Sequence, residues 1–324
     1  MNICILGYSG KIGSNLLNKL KENKNNIILI SREKKEEINK YRYIYCDLNS
    51  ISEELIKVLK DCDILINIIG EYRDESKMLQ TNFKLVQNLL DQINNNQREK
   101  KIHFIQLSSC SVYGYNYEER LLNENSKTLP TNYYGKTKLD DENIIKKNIN
   151  NFFTYTIIRP SGVIDNLDRK SSLFKFLEIA TQKFVVLIGK KDSVGNFIHV
   201  EDLTQLIIEV SFNKRAENKI FNISDNFYYF KLLEDIDKKL SIKPMRIYFY
   251  SNLCLILYSS LRRIILNFFK IPDIRFLAYR TKYDSSLIRT ELNFKFSENI
   301  QKNFVKHLLD KKIINSGEEF NNNS

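Results

Sequence analysis

Gly7, Gly10 and Gly13 constrain this chain more than any other feature, because of what flanks them. Before them runs the apolar stretch Ile3 to Leu6; after them Leu16, Leu17 and Leu20 recur at helical spacing. A strand, a glycine-rich turn and a helix in immediate succession leave few folds open. Gly7 permits the tight turn, Gly10 lets a pyrophosphate approach the backbone, and Gly13 lets the helix pack against the strand. Ser9, Lys11 and Ile12 complete this candidate cofactor-binding loop, with the helix N-terminus facing the phosphates. Glycines also serve plain turns, but the strand-to-helix context favours a dinucleotide.

The pattern then repeats. Ile27 to Ile30 reads as a second strand ending at Ser31-Arg32, and Tyr43 to Cys46 as a third stopping at Asp47 and Leu48. Asp63 to Ile69 is an apolar run ending in Gly70, and Ile102 to Leu107 is another strand. Between them the spacing predicts a helix over 77–94, with Leu79, Phe83, Val86, Leu89 and Leu90 on its packing stripe. Strands alternating with helices predict an α/β fold: a Rossmann-like, doubly wound parallel sheet. Such sheets bind ligands at the carboxyl ends of their strands. The loops that start at Gly7, Ser31, Gly70, Ser108 and Arg159 are therefore the ones that matter. An acid after the second strand would bind the adenosine ribose 2′-hydroxyl. Ser31 and Arg32 offer a hydroxyl and a guanidinium instead, which favours NADP(H) and leaves NAD(H) open. Asp47 and Leu48 are placed to approach the adenine, and Ile69, Gly70 and Asn82 are further cofactor candidates.

In Leu129-Pro-Thr-Asn-Tyr-Tyr-Gly-Lys-Thr-Lys138, Tyr134 and Lys138 stand four residues apart in what reads as a helix start. Side chains at that spacing share a face. A fixed ammonium favours the phenolate and makes a tyrosine usable as a proton donor or acceptor near neutral pH. None of the other tyrosines has a lysine four residues on. Read alone, the stretch would pass for an exposed helix start.

The order of motifs is glycine loop, Ser108-Ser109-Cys-Ser-Val-Tyr-Gly114 after a strand, Tyr134-x-x-x-Lys138, then Arg159-Pro160 closing a strand. It resembles the extended short-chain dehydrogenase/reductases, the NAD-dependent epimerase/dehydratase family. The segment Asn196-Phe-Ile-His-Val-Glu-Asp-Leu203 extends the likeness. The resemblance implies that Ser109 hydrogen-bonds the reacting oxygen, Tyr134 exchanges the proton, and Lys138 lowers the tyrosine's pKa and binds the nicotinamide ribose. Arg159 and Pro160 join the cofactor-binding set, while Ser111, Asn196, His199 and Arg280 are the substrate-side candidates. Two departures narrow the reaction. The 4,6-dehydratases carry Thr-Asp-Glu where this chain has Ser109-Cys110-Ser111, so the acid/base pair for removing water is missing. In UDP-glucose 4-epimerase an arginine holding the diphosphate precedes the Ile-His-Val segment, where Gly195-Asn196 stand here.

At 324 residues the chain is long enough for a core domain with a smaller lobe. Residues 1–160 are expected to form the dinucleotide domain and 161–314 a smaller C-terminal mixed α/β substrate lobe, with some segments returning to the core sheet. The polar tail 315–324 is expected to fray. Within the lobe, 162–170 reads as a loop, Leu173, Phe174, Leu177 and Ala180 mark a helix, and Asp202 is a plausible N-cap before Leu203. His199 beside it reads as structural rather than as a substrate group. The net charge of +11 suits an anionic ligand, but the lysines are scattered among acids and no nucleic-acid motif accompanies them. Cys4, Cys46, Cys62, Cys110 and Cys254 form no CxxC pair and no metal spacing, which points to a reducing, cytoplasmic setting without a metal. No basic leader precedes the first strand. The stretch 245–270 is apolar but divided by Arg262-Arg263, so it reads as an amphipathic segment covering the cleft or lying on a membrane surface. A homodimer is compatible with all of this.

The leading expectation is an enzyme that transfers hydride at a carbinol or ketone of a nucleotide-linked sugar, with Tyr134 as acid/base. Ser31-Arg32 tilts it toward a 4-keto reductase over a 4-epimerase. The alternative is a cofactor-stabilised, non-catalytic subunit resembling the accessory subunit of respiratory complex I, which has no use for an intact Ser109, Tyr134 and Lys138.

Overall fold

The apolar runs become strands of a single parallel sheet. The computed structural model describes residues 1–22, 24–31, 41–45, 52–95, 99–114, 120–165, 181–188, 190–249, 279–297 and 300. Arg32, Cys46, Asp47, Leu48, the helix expected through Leu173 to Ala180, the stretch 250–270 and the tail 315–324 lie outside the described residues.

Strands β1 (Asn2–Leu6), β2 (Asn26–Ser31), β3 (Arg42–Tyr45), β4 (Ile64–Asn67), β5 (Ile102–Leu107), β7 (Phe153–Pro160) and β11 (Lys219–Ile223) form this sheet. Their order is β3-β2-β1-β4-β5-β7-β11, every pair parallel. Both faces are covered, which is why the strands are apolar throughout rather than alternating. Ile3 and Ile5 point to one layer with Leu16, Leu203 and Ile207. Cys4 and Leu6 point to the other, with Leu55, Leu85 and Leu89. Each such buried aliphatic side chain contributes roughly 1.5–3 kcal/mol.

The covering helices include α1 (Lys11–Leu20), α2 (Glu53–Asp61), α3 (Glu75–Met78), α4 (Leu85–Asn95), α5 (Tyr133–Lys147) and α6 (Val200–Phe212). The helix expected over 77–94 is interrupted: a π turn, Leu79–Lys84, separates α3 from α4. A π turn inserts one residue per turn and rotates the helix on its C-terminal side. Here it turns Asn82 into the interior and leaves Leu79 42% exposed, off the stripe assigned to it.

Among the described residues three smaller sheets lie beyond. Strand β10 (Val194–His199) pairs antiparallel with β12 (Asp225–Tyr228) and parallel with β8 (Gly162–Ile164). The loop expected at 162–170 thus begins as a strand, because Phe197 to His199 offer it a ladder. Strands β9 (Phe184–Ile188) and β13 (Met245–Phe249) pair in parallel, as do β6 (Arg120–Leu122) and β14 (Thr281–Tyr283). Helices α7 (Tyr229–Leu240) and α8 (Ser286–Leu292) complete the described elements.

The N-cap of α6 is His199, whose Nδ1 accepts from Glu201 N at 3.3 Å; Asp202 lies inside the first turn. The Asp202 carboxylate instead accepts from the Ser297 backbone N and hydroxyl at 2.8 and 2.6 Å, holding the chain beyond α8. Among the described residues no helix is long and apolar enough to cross a membrane.

Candidate active site

The strand order reverses between β1 and β4, and open α/β sheets take their ligands at the carboxyl ends beside such a reversal. The glycine loop lies there. Gly7 has φ +86°, a left-handed value, and a Cβ on it would sit 3.0 Å from Ile69 N. A Cβ on Gly13 would lie 2.3 Å from Gly7 O, so α1 could not close on the turn. Gly10 is different. Its nearest atom to an added Cβ is Gly7 O at an ordinary 3.5 Å, so nothing in the protein itself requires glycine. Gly10 is also the N-cap of α1 and offers no side-chain cap to its N–H groups. An uncrowded N-terminus without a side-chain cap suits a pyrophosphate. Gly10→Ala is therefore expected to leave the melting temperature nearly unchanged and to weaken dinucleotide binding at least tenfold, about 1.4 kcal/mol. Calorimetric titration with NAD and NADP beside a thermal melt checks both halves. Lys11, next in the loop, reaches across to Asp165 at 3.3 Å. Ser31 ends β2 partly exposed.

Lys138 is the centre of the other part of the site. Its side chain is 2% exposed, and Nζ donates to the carbonyls of Leu107 at 3.0 Å and Ile69 at 3.3 Å. The ammonium so joins the ends of β5 and β4. Gly70 packs directly against the lysine: a Cβ on it would sit 3.4 Å from Nζ, an ordinary contact. Tyr134, one helical turn earlier, is half-buried, its ring edge-on to Tyr72 at 6.5 Å. Asn132 starts the helix, its Oδ1 accepting from Gly135 N at 2.7 Å. Asn82 ties the loop after β4 to the same helix: its Oδ1 accepts from Glu71 N, and its Nδ2 donates to Glu71 O and Thr137 Oγ1.

The serine loop is brought to α5 by Gly135, where a Cβ would stand 2.5 Å from Ser111 O. Ser109 caps the short turn Cys110–Tyr113 and sits between β5 and α5. Its Oγ accepts from Ser111 N and donates to Ser111 Oγ, both at 3.1 Å. The structure thus gathers Ser109, Ser111, Tyr134 and Lys138 at one carboxyl edge beside the glycine loop.

Other candidates fall elsewhere. The guanidinium of Arg159, expected at the cofactor, faces the interior and takes Glu142 through Nε at 2.8 Å and Nη2 at 2.5 Å, and Tyr113 Oη at 2.7 Å. Burial opposes its charge, but Glu142 outweighs burial and holds it above the ordinary value. What Arg159 gives the site is indirect: its carbonyl accepts from Cys110 Sγ at 3.2 Å, anchoring the serine loop. Burial pushes Tyr113 up to about 12 and Cys110 well above a usual thiol, so neither is a proton carrier near neutral pH. Pro160 is buried at the end of β7. Asn196 donates to Thr281 O at 2.9 Å and Arg280 pairs with Asp192 at 2.5 Å, both on the β10–β14 side. His199 caps α6. Among the described residues no cluster of His, Cys, Asp and Glu could hold a metal ion.

The sequence reading overlooked a set of polar groups behind Lys138. Asn67 donates to Gln106 Oε1 at 2.8 Å, Ser108 donates to Glu142 at 2.6 Å, and Asp141 and Glu142 are wholly buried. The signal was the acidic run Asp140-Asp141-Glu142: residues 141 and 142 stand three and four positions after Lys138, on its own helix face.

A strand-order reversal, a glycine-rich turn leading from β1 into α1 and a tyrosine–lysine pair on α5 are the arrangement of a short-chain dehydrogenase-type Rossmann fold. Residues 3–224 match the NAD dependent epimerase/dehydratase family, and the chain belongs to it. The N-acetyl-alpha-D-glucosaminyl-diphospho-ditrans,octacis-undecaprenol 4-epimerase of Escherichia coli O157:H7 is 25% identical over 253 residues, 75% of this chain and 73% of its own length. A short-chain dehydrogenase/reductase superfamily protein from Agrobacterium tumefaciens, solved with bound NAD, superposes with a TM-score of 0.72 at 14% identity, covering 98% of this chain and 100% of that one. The UDP-glucuronic acid 4-epimerase of Bacillus cereus, in complex with NAD, gives 0.68 at 17% identity, covering 94% of each chain. Such structural likenesses speak for the shared fold.

Proposed function

We propose that this protein transfers hydride at a carbinol or ketone carbon of a diphosphate-linked sugar, with Tyr134 as the acid/base, and that the reaction is a 4-epimerisation. The observation carrying this is the placement of a buried ammonium, Lys138, one turn below a half-buried tyrosine at the carboxyl edge of the parallel sheet. Bound there, the dinucleotide would accept and return the hydride; the chain's own work is at the oxygen. The Lys138 charge favours the Tyr134 phenolate, the phenolate takes the hydroxyl proton, and Ser109, its hydroxyl turned from Ser111 Oγ, donates a hydrogen bond to the same oxygen. The serine loop holds no carboxylic acid, so removal of water lacks its acid/base pair. Ser111 borders the reacting end; Asn196 and Arg280 lie on the side where the sugar's carrier would extend.

The 4-epimerase reading draws on the relatives' activities. A 4-keto reductase using NADPH is the second reading, and Ser31 followed by Arg32 favours it. Cofactor retention separates the two. An epimerase returns its hydride to the same substrate and keeps its cofactor. Protein denatured after purification is therefore expected to release oxidised dinucleotide in near-stoichiometric amount, measured by mass spectrometry. Empty protein that consumes NADPH with a 4-keto sugar would instead establish the reductase.

The carrier is read as a nucleotide, with a polyprenyl diphosphate as the competing choice. One feature favours the lipid. Phe184 and Met245, paired across β9 and β13, are 57% and 64% exposed, and Ile247 is 40% exposed, beside exposed Lys183 and Lys243. Exposed apolar side chains with exposed lysines close by in the chain suit an anionic membrane surface. If the lipid is the carrier, the protein sediments with vesicles containing phosphatidylglycerol and not with pure phosphatidylcholine, and Met245→Asp abolishes this. Equal recovery in both supernatants would leave the nucleotide.

A further inference from the structure

Two carboxyl groups stand side by side on α5, and they are treated differently. Glu142 receives Ser108 Oγ at 2.6 Å and two Arg159 nitrogens at 2.8 and 2.5 Å, a full set of donors. Asp141 is just as buried, with no exposed surface, and is poorly served. Its Oδ2 lies 3.7 Å from Lys138 Nζ and accepts one long hydrogen bond from Gln106 at 3.4 Å. Its Oδ1 is buried with no partner. Leaving a carboxylate oxygen unpaired in the interior is costly, and an apolar side chain of that size would suit the fold better. What Asp141 does hold is the ammonium beneath Tyr134.

We infer that Asp141 is a positioning residue acting through Lys138: it is the buried counter-ion that keeps this ammonium charged, and so sets the pH range over which the tyrosine is activated. The functional half of this rests on the Tyr134 relay proposed above; the electrostatic half does not.

Burial drives both partners toward neutrality. It raises the Asp141 carboxyl to about 7 against the pull of Lys138, and it lowers the Lys138 ammonium against the pull of Asp141 and then Glu142. Between the two ionisations the pair is charged. The other charged groups facing Asp141 are Asp140 and Glu142 on its own helix. Glu142 is neutralised by Arg159 from β7, and Gln106 of β5, backed by Asn67 of β4, does not titrate. Without Asp141, Lys138 has only the Ile69 and Leu107 carbonyls and the spent charge of Glu142 to oppose burial, so it gives up its proton at lower pH.

The test needs no substrate. Full-length protein carrying lysine labelled with carbon-13 at Cε is titrated by NMR, with the Lys138 signal assigned from Lys138→Met. In Asp141→Asn the Lys138 midpoint is expected to fall by at least one pH unit, a tenfold change in ionisation constant. Asp141→Val, apolar and of similar size, serves if the amide variant does not fold, and is expected to give the same shift. Tyrosinate absorbance, taken as the difference between each protein and its Tyr134→Phe counterpart, is expected to rise at higher pH in the Asp141 variant than in the wild type. An unmoved Lys138 midpoint overturns the inference. So does failure of both variants to fold, since Asp141 would then serve the fold and not the lysine. Loss of the proposed function looks different: full turnover in Tyr134→Phe would remove the relay and leave the Lys138 titration as it is.

Discussion

Tyr134→Phe is expected to lower turnover by about two to four orders of magnitude while leaving the fold and dinucleotide binding in place. The change removes one oxygen from a half-buried ring and leaves its edge contact with Tyr72. Lys138 does not depend on the phenol for its position, because the Ile69 and Leu107 carbonyls hold Nζ. Hydride transfer to or from a carbinol carbon needs a matched proton transfer at oxygen, and phenylalanine cannot supply it. The measurement is turnover of UDP-linked and polyprenyl-diphosphate-linked N-acetylhexosamines, beside dinucleotide affinity and a thermal melt. Equal turnover in the variant would take the acid/base role away from Tyr134.

The largest effect on stability is expected at Glu142. Glu142→Ala removes the partner of a guanidinium that is 2% exposed and leaves Arg159 with Tyr113 and a 3.4 Å contact to Glu124 O. Breaking a buried ion pair from one side costs about 3–5 kcal/mol, mostly because the remaining charge is stranded. Removing both partners, as Glu142→Leu with Arg159→Met, is expected to cost much less than either single change. Urea unfolding of Glu142→Leu, Arg159→Met and the double variant measures it. Additive losses across the cycle would show that the pair is not coupled. The single changes are also expected to loosen the serine loop, since Cys110 rests on the Arg159 carbonyl.

Much of the site was readable from the chain because each signal was local. The glycine loop needed only the strand before it and the helix after it, and β5 runs from Ile102 to Leu107 as its apolar run predicts. Tyr134 and Lys138 share one helix, so their spacing alone placed them. What could not be read depended on partners distant in sequence. Strand β8 exists because β10 runs beside it, and the π turn at Leu79–Lys84 is tied to the bonds Asn82 makes to Glu71 and Thr137. An arginine closing a strand near a cleft reads as a ligand contact; only the fold shows Glu142 waiting beneath it. Asp202 looked like a helix cap because acids favour that place, yet the main chain starts its turn at His199 and frees the carboxylate for Ser297.

The position of β11 bears on how the chain is made. Strand β7 is buried along its whole length, and one of its two neighbours is Lys219–Ile223. During synthesis from the N-terminus, the outer edge of β7 therefore waits unpaired until residue 223 has left the ribosome. An open, apolar strand edge is a template for other chains. A fragment ending at residue 160 would keep that edge permanently, whereas the complete sheet covers it with Lys219–Ile223.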